Sequence, residues 1–196
     1  MTTPLSDDQM LTALREVDAI RAGHFALTSG RHSDTYVQCA RFLEDPALTT
    51  QLARTAVERL PDGLAVDLVA APAVGGVIMG FAVAQALGVN FIFSERKGGN
   101  MEFRRGFRVP SGARVLVVED VVTTGGSVGE VIDLVRFAGG TVVGVVSIID
   151  RGGDKKFDAP FWPLLSLEVE SWDPSECVLC AEKVPVTSPG SRRLSQ

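Results

Sequence analysis

Short apolar runs and helical patterns alternate between residues 65 and 150, and this alternation limits the fold more than any other feature of the chain. The helical patterns cover 75–87 and 128–138, where apolar residues recur every three or four positions. The strand-like runs beside them are 65–70, 89–93, 115–118 and 141–149. Such alternation predicts an α/β fold with a parallel sheet and right-handed crossovers. Ligands bind beyond the carboxyl ends of such strands, so a site is expected in the turns that follow them.

The length of 196 residues and the hydrophobic fraction of 45% are typical of a single domain with its own core. We expect that domain to span 1–196, with a core over about 46–150. The segments 1–45 and 151–184 are expected to form a smaller hood, and the polar tail 185–196 to be disordered.

The overall charge and the apolar stretches exclude two classes of partner. The net charge of −5 argues against nucleic acid, because binding to a phosphate backbone needs a basic surface. Residues 68–93 carry no charge and are long enough for a membrane span, but their Pro, Gly and polar residues indicate a strand, a turn, a helix and a strand. No basic start with an apolar stretch opens the chain, so we predict no signal peptide and a cytoplasmic location.

Outside this region the local signals are weaker. Residues 6–22 have a helical period that Ser6 can cap, and Asp45 with Pro46 is typical of the start of a second helix. Short strands are predicted at 25–27 and 35–39. Residues 95–112 are charged, Gly-rich and aperiodic, which indicates a long mobile loop. Residues 157–170 alternate loosely and are expected to pack with the N-terminal segment.

The run 114–127 carries the strongest functional signal. An apolar strand leads into Glu119 and Asp120, and the small residues Thr123, Thr124, Gly125, Gly126 and Ser127 then open a helix. The first N–H groups of a helix lack partners and lie at the positive end of its dipole, so they bind phosphate. The carboxylates can accept hydrogen bonds from sugar hydroxyls. The run has neither a Walker lysine nor the Gly-x-Gly-x-x-Gly spacing, so it predicts a site for a phosphorylated polyol.

This run resembles the phosphoribosyl pyrophosphate (PRPP) signature of the type I phosphoribosyltransferases. Other segments resemble the orotate phosphoribosyltransferase family in the same order along the chain: the Ser-Gly-Arg turn at 29–31, the pyrophosphate loop at 71–76, Glu95-Arg96-Lys97 with the loop behind it, and Asp150-Arg151. Taken alone, the segment 28–36 is typical of an ordinary hairpin turn, and Asp150-Arg151 of an ion pair at a strand end.

The resemblance implies a type I phosphoribosyltransferase-like core under a small hood, and it implies site residues. Catalysis would depend on Lys97, Glu119 and Asp120. PRPP would be bound by these three together with Arg96, Val121, Val122, Thr123, Thr124, Gly125, Gly126, Ser127, Ala73 and Gly75. Orotate would be bound by Thr123, Arg151, Ser29, Arg31 and Tyr36. Arg suits this base because orotate is a planar carboxylate.

The resemblance also implies a cofactor, a partner and some departures from the family pattern. Mg²⁺ would be held by PRPP, assisted by Asp120, with no direct protein ligand otherwise expected. The chain would form a homodimer in which the loop 95–110 reaches the partner's site. Many members carry lysine where this chain has Thr28 and Gly75, and the loop lacks the usual second lysine and histidine. It offers Asn100, Glu102, Arg104 and Arg105 instead.

Three cysteines, Cys39, Cys177 and Cys180, are too few for a disulfide framework. Cys177 and Cys180 have the spacing of zinc ligands, but a structural zinc site needs four ligands and the chain has no second cysteine pair. We therefore interpret them as thiols without a metal, and a zinc site shared between two chains as the weaker alternative.

Two other functions stay open at this point. A purine phosphoribosyltransferase would share 115–127 but would not need an arginine for a base carboxylate. A non-catalytic regulator on the same fold would bind PRPP as an effector. Such a regulator is typically basic or carries a DNA-binding domain, whereas this chain is acidic.

Overall fold

A six-stranded sheet with helices on both faces forms the centre of the computed structural model, which describes residues 4–27 and 29–189. The helices are α1 Asp7–Glu16, α2 Ala40–Leu43, α3 Pro46–Glu58, α4 Gly75–Leu87, α5 Gly126–Phe137 and α6 Val178–Ala181. The strands are β1 Ile20–Ala26, β2 His32–Val37, β3 Leu68–Pro72, β4 Asn90–Lys97, β5 Asn100–Phe103, β6 Arg114–Val122, β7 Thr141–Asp150 and β8 Phe161–Ser166.

The strand order in the main sheet is β5-β4-β3-β6-β7-β8. All neighbours are parallel except β5, which pairs antiparallel with β4 at the edge. This confirms the predicted α/β fold with a central, mostly parallel sheet. The chain moves outward from β3 to β4 and then returns to the other side of β3 to form β6. The carboxyl ends of β3 and β6 therefore diverge into a crevice, where ligands of such sheets bind.

Successive residues of the strands face the two sides of the sheet and so build two apolar clusters. Leu116 and Val118 face α3, α4 and α1, whereas Val115 and Val117 face α5. Each of these four side chains is completely buried. Helix α1 contributes Met10 and Leu14 to the first cluster, so residues before position 46 also belong to the hydrophobic core.

The helix starts agree with their local signals better than the helix ends. Ser6 caps α1 in a capping box with Gln9, and the Asp45 carboxylate accepts hydrogen bonds from the N–H groups at the start of α3. Helix α1 ends at Glu16, however, and the chain reverses at Asp18, which has a φ of 56°. The predicted helix over 6–22 was therefore too long, and Ile20 begins β1.

The predicted mobile loop at 95–112 is wrong in its first half. Strand β4 continues to Lys97 and pairs with β5 across a two-residue turn, Gly98-Gly99. Met101 of β5 is buried, and β5 packs against α5, which anchors the hairpin. A Gly-Gly pair between two short runs is a hairpin signal, so the sequence did contain the information.

The second sheet is the antiparallel pair β1–β2, and the C-terminal segment pairs with it. His32 and Trp172 exchange two backbone hydrogen bonds, and Thr187 pairs with His24 and Ala26. The expected disorder of 185–196 is thus wrong at Thr187, while residues 190–196 lie outside the described residues. Segment 157–170 packs with the N-terminal segment as predicted, since β8 contacts α1 and Ser33 Oγ donates to the Glu170 carbonyl oxygen. Strand β8 also extends the main sheet beside β7.

No helix within the described ranges is both long and apolar enough to cross a membrane. The uncharged stretch 68–93 forms β3, α4 and the first part of β4, as its turn residues predicted.

Candidate active site

The acid pair lies inside β6, which continues past it to Val122. Glu119 is buried and its Oε1 atom accepts a hydrogen bond from the Asp120 N–H at 3.2 Å. The half-buried Asp120 accepts one from the Val121 N–H through Oδ1 at 2.8 Å. The strand predicted from the sequence ended at Val118, because the two charged residues that follow are typical of a turn.

The loop after β3 lies against these carboxylates. A Cβ atom added at Gly75 would come within 2.7 Å of both Asp120 carboxylate oxygens, and one at Gly76 within 3.0 Å of Glu119 Oε1. A lysine at position 75, as many family members carry, would therefore require Asp120 to move. Ala73, the other residue predicted here, precedes Val74 through a cis peptide bond.

Burial, followed by repulsion from the neighbouring Asp120 carboxylate, raises the pKa of Glu119 to about 9. The Glu119 carboxyl is therefore neutral at pH 7 in the ligand-free protein. A neutral carboxyl can donate a hydrogen bond as well as accept one, which a carboxylate cannot do.

A small cavity of about 190 Å³ is formed where β6 turns into α5. Its lining includes the predicted phosphate-binding residues Val121, Val122, Thr123, Thr124, Gly125, Gly126 and Ser127, together with Glu119 and Val128. Gly125 precedes α5 with a φ of 75°, and a Cβ atom there would come within 2.4 Å of the Phe157 ring. Both the left-handed backbone and the close ring therefore require glycine at this position.

A second cavity of about 460 Å³ lies between this turn and the β1–β2 sheet. It is lined by four of the five predicted orotate-binding residues, Ser29, Tyr36, Thr123 and Arg151, and by Ala26, Leu27, Val37, Gly152, Gly153, Val169 and Ser171. Thr123 lines both cavities, so they are contiguous. The Arg151 Nε atom is buried and has no hydrogen-bond partner among the described residues. Thr28 lies outside the described residues.

The fifth residue, Arg31, supports the wall of this cavity. Its Nε atom donates to Ser171 Oγ at 2.9 Å, and its NH2 group donates to the Ser171 carbonyl oxygen. Ser171 itself lines the cavity. Whether Arg31 also contacts a base stays a prediction.

Lys155 was not predicted from the sequence. Its Nζ atom donates to Asp150 Oδ1 at 2.6 Å and to the Thr123 carbonyl oxygen at 3.0 Å. Two further bonds go to the carbonyl oxygens of Gly152 and Gly153. This ammonium group thus connects the loop that carries Arg151 to the phosphate-binding turn. Its acceptors are mainly carbonyl oxygens, for which a sequence carries no signal.

Arg96 and Lys97 are the last residues of β4 and lie, like the acid pair, toward the carboxyl ends of the parallel strands. Arg96 donates to Glu130 Oε1 of α5 at 2.5 Å and to the Gly99 carbonyl oxygen at 2.9 Å. Lys97 is exposed. At the base of the hairpin, Arg105 forms a bidentate ion pair with Glu95, with both N–O distances below 3.0 Å. Arg105 is thus engaged within the hairpin, and Arg104 is exposed.

Comparisons with known proteins agree with this geometry. The phosphoribosyl transferase domain family matches residues 40–177. A Heliobacterium modesticaldum protein named orotate phosphoribosyltransferase is 50% identical over 190 residues, covering 96% of this chain and 100% of that protein. A Caldanaerobacter subterraneus protein of the same name is 44% identical over 191 residues, covering 97% and 100%.

Among solved structures, the orotate phosphoribosyltransferase from Aeropyrum pernix is similar with a TM-score of 0.63 and 24% sequence identity, covering 91% of each chain. At that identity the likeness concerns the fold alone, and it confirms the predicted type I phosphoribosyltransferase architecture. The identities to the two bacterial relatives, over nearly their whole lengths, go further. The chain belongs to the orotate phosphoribosyltransferase family.

Proposed function

We propose that this protein transfers the phosphoribosyl group of PRPP to orotate, giving orotidine 5′-monophosphate and pyrophosphate in pyrimidine biosynthesis. The observation that carries the proposal is the pair of contiguous cavities joined at Thr123. One has a helix start that can bind phosphate, and the other contains Arg151, whose buried Nε atom has no hydrogen-bond partner among the described residues.

The smaller cavity suits the ribose 5-phosphate half of PRPP. The N–H groups at the start of α5 can donate to the phosphate, and the hydroxyl groups of Thr123, Thr124 and Ser127 lie on the same turn. Glu119 and Asp120 sit beside this turn and can bind the ribose hydroxyls. The neutral state of Glu119 permits it to donate as well as accept in that pairing.

The larger cavity suits orotate. The Arg151 guanidinium can donate two parallel hydrogen bonds to the base carboxylate, which would satisfy its buried Nε atom. Tyr36 offers a ring edge and a hydroxyl, and Ser29 a second hydroxyl, on the opposite wall. In this proposal Arg31 acts on orotate chiefly through Ser171, which it holds in place.

The reaction breaks the bond between the ribose C1 atom and the pyrophosphate oxygen and forms a bond from C1 to a ring nitrogen of orotate. The N–H bond of that nitrogen breaks as well, and its proton passes to pyrophosphate or to solvent. The electron pair of the broken bond leaves with pyrophosphate, so C1 becomes cation-like and the leaving group gains charge. Catalysis therefore rests on positioning and on neutralising that charge. We assign the neutralising role to Lys97 and Arg96, and the backbone contacts with pyrophosphate to the loop containing Ala73 and Gly75.

Mg²⁺ is part of the proposal, and the acidic residues fit a supporting role. Magnesium prefers oxygen ligands and keeps several waters, so few protein ligands are needed. Glu119 is buried and neutral, whereas the half-buried Asp120 faces the pyrophosphate loop across Gly75. Asp120 is thus the carboxylate placed to assist. When bound with PRPP, the metal would neutralise charge on the pyrophosphate oxygens.

A homodimer is supported by an apolar stripe on α4 and the residue before it. Val74, Ile78 and Phe81 are 84%, 49% and 60% exposed and follow one another at helical spacing. A second copy of the chain covering this stripe would lie next to Gly75 and Asp120, which share a groove with Val74 and Ile78. We propose that the hairpin loop of each subunit serves the site of its partner. A cytoplasmic location agrees with the three unpaired thiols.

The decisive experiment supplies PRPP and Mg²⁺ with orotate, adenine, hypoxanthine or xanthine in turn, and follows loss of the base by absorbance. We expect turnover with orotate alone. Arg151→Gln should lower kcat/KM for orotate roughly 30- to 1000-fold, because one partner of a buried charge pair is lost at a cost of about 2–4 kcal/mol.

Arg21→Gln is the matched control, since this guanidinium stacks on Phe25 outside the cavity wall. It should leave the orotate kinetics unchanged. Turnover of a purine base would favour the purine enzyme. Binding of PRPP without turnover of any base would favour the regulator.

A further inference from the structure

Both histidines of the sequence and two of its three cysteines meet at one point in the hood, away from the two cavities. His24 comes from β1 and His32 from β2, whereas Cys177 and Cys180 lie on either side of the start of α6. One nitrogen or sulfur atom of each residue belongs to a group whose members all lie within 4.8 Å of one another.

The spacing of these atoms is that of a tetrahedral metal site. His24 Nε2 lies 2.9 Å from His32 Nδ1, 3.4 Å from Cys177 Sγ and 3.7 Å from Cys180 Sγ. Cys180 Sγ lies 3.3 Å from His32 Nδ1. Zinc bonds of about 2.0–2.1 Å to nitrogen and about 2.3 Å to sulfur put tetrahedral neighbours about 3.3 to 3.8 Å apart. The four distances given match those edges to within about 0.5 Å, and the other two are no longer than 4.8 Å.

Hydrogen bonds among the four side chains do not account for the arrangement. The His24 Nδ1 atom lies 2.7 Å from the Val184 carbonyl oxygen, which can only accept, so Nδ1 carries the hydrogen. With the hydrogen on Nδ1, the Nε2 atom presents a single lone pair, yet three groups converge on it. That lone pair can accept only one strong hydrogen bond, whereas one cation can be bound by all four groups.

The contact with Val184 is also the support that metal-binding histidines commonly have. A ligating imidazole usually donates its second N–H to a carbonyl or carboxylate, which fixes the ring orientation. His24 is 3% exposed and Cys177 is 3% exposed, so the site is enclosed on the side of the core.

We infer that His24, His32, Cys177 and Cys180 bind one Zn²⁺ ion as a closed structural site. Two thiolates and two imidazoles in a tetrahedron select zinc among the common divalent ions, and four protein ligands leave no position for a substrate. The ion would fasten the C-terminal segment to the β1–β2 sheet. The same sheet supplies Ala26, Leu27, Ser29 and Tyr36 to the larger cavity.

The first test is the zinc content of the full-length protein, purified without chelators and measured by mass spectrometry of the metal. We expect about one zinc per chain in the wild type and none above the buffer blank in the double variant Cys177→Ser, Cys180→Ser. Cys39→Ala is the matched control, because Cys39 is buried elsewhere in the core, and it should keep its zinc.

A second measurement does not depend on the variants folding. The wild-type protein is stripped with a thiol-blocking mercurial, restored with reducing agent and loaded with Co²⁺. The visible spectrum should show the strong absorption of four-coordinate cobalt with thiolate charge-transfer bands. Wild-type protein that carries no zinc, takes up none, and gives only the weak spectrum of six-coordinate cobalt would overturn the inference. Retention of zinc by the double cysteine variant would overturn it equally.

Discussion

Glu119 and Arg151 are two residues of charged types whose side chains are partly or wholly withdrawn from water beside the cavities. Glu119 lies near the end of β6 and lines the smaller cavity, whereas Arg151 directly follows β7 and lines the larger one. Burial beside another carboxylate raises the pKa of Glu119, and the Arg151 Nε atom has no hydrogen-bond partner in the described part of the chain. Side chains held in this way are poor for stability and useful for binding.

The raised pKa of Glu119 predicts how stability depends on pH. The folded protein keeps this proton up to about pH 9, whereas the unfolded chain releases it near the ordinary value of 4.5. The unfolded state therefore holds fewer protons in that window, so this group lowers the free energy of unfolding as pH rises from about 4.5 to about 9. Glu119→Gln should remove that decline, and urea denaturation at pH 5, 7 and 9 measures it.

Each unit of pKa corresponds to about 1.4 kcal/mol, so we expect the variant to be more stable than the wild type by at least that amount at pH 9. The two proteins should converge toward pH 5. Equal slopes across this range would contradict the assignment of a neutral Glu119. Glu102→Gln, on the hairpin, is a suitable control, since no burial of comparable degree applies there.

At the scale of elements, the Lys155 ammonium group adds a side-chain link between the loop from 150 to 156 and the turn before α5, beside the backbone bond from Lys156 to Thr124. Lys155 joins Asp150 and three carbonyl oxygens, including that of Thr123 on the phosphate-binding turn. The Lys155 and Asp150 side chains are only 20% and 17% exposed, so this ion pair is not a surface contact of little value. The loop and the turn therefore form one unit, although they follow different strands.

Lys155→Met should uncouple that unit. We expect a loss of about 2–4 kcal/mol in the free energy of unfolding, because Asp150 is left without its partner. The KM values for PRPP and for orotate should both rise, since Thr123 and Arg151 lie on the two joined segments. Steady-state kinetics with each substrate varied in turn provide the measurement.

The neighbouring Lys156→Met serves as the control. Its side chain is exposed, and its link to the turn is a backbone N–H bond to the Thr124 carbonyl oxygen, which the substitution keeps. It should change stability by less than about 0.5 kcal/mol. A rise in only one KM in Lys155→Met would show that the two segments act separately.

At the scale of the whole molecule, a site shared between two subunits predicts that two inactive variants regain activity when they are mixed. Lys97→Ala and Asp120→Asn subunits should each be nearly inactive alone. If the hairpin of one subunit serves the other, a mixed dimer has one site with both residues intact. Random mixing should then restore about a quarter of the wild-type activity, because half of the dimers are mixed and each has one working site.

Mixing Asp120→Asn with Arg151→Gln subunits provides the control, since both residues belong to the site of their own chain and every site stays damaged. Recovery should be absent there. If the Lys97 mixture also fails to recover, the hairpin acts within its own subunit. The hairpin position in which Arg96 contacts Glu130 of the same chain would then be the catalytically active one.

The fold was predictable where its signals are local. The start of α3 at Asp45-Pro46 and the whole of α4 over 75–87 agree with the sequence pattern, because caps and helical periods are properties of neighbouring residues. The end of β6 was not, since Glu119 and Asp120 are held in the strand by pairing with β7, which the local sequence does not encode.

The functional site was likewise predictable only where its signals are local. The phosphate-binding turn follows from a contiguous run, and four of the five predicted base-binding residues do line one cavity. Lys155 and the pairing of His24 and His32 with Cys177 and Cys180 depend on segments far apart in the chain. The sequence pattern of the cysteines alone therefore did not predict the two histidines as ligands. His24 and His32 are eight positions apart in the chain, and β1 and β2 bring them together.

The walls of the larger cavity come from both ends of the chain, and this sets an order for biosynthesis. Residues 68–127 supply the phosphate-binding turn and the acid pair, so a nascent chain that has emerged to the end of β7 already contains them. The opposite wall needs Val169 and Ser171, and Thr187 closes the hood against β1 only after that. The ribosome therefore completes the lining of the smaller cavity well before that of the larger one.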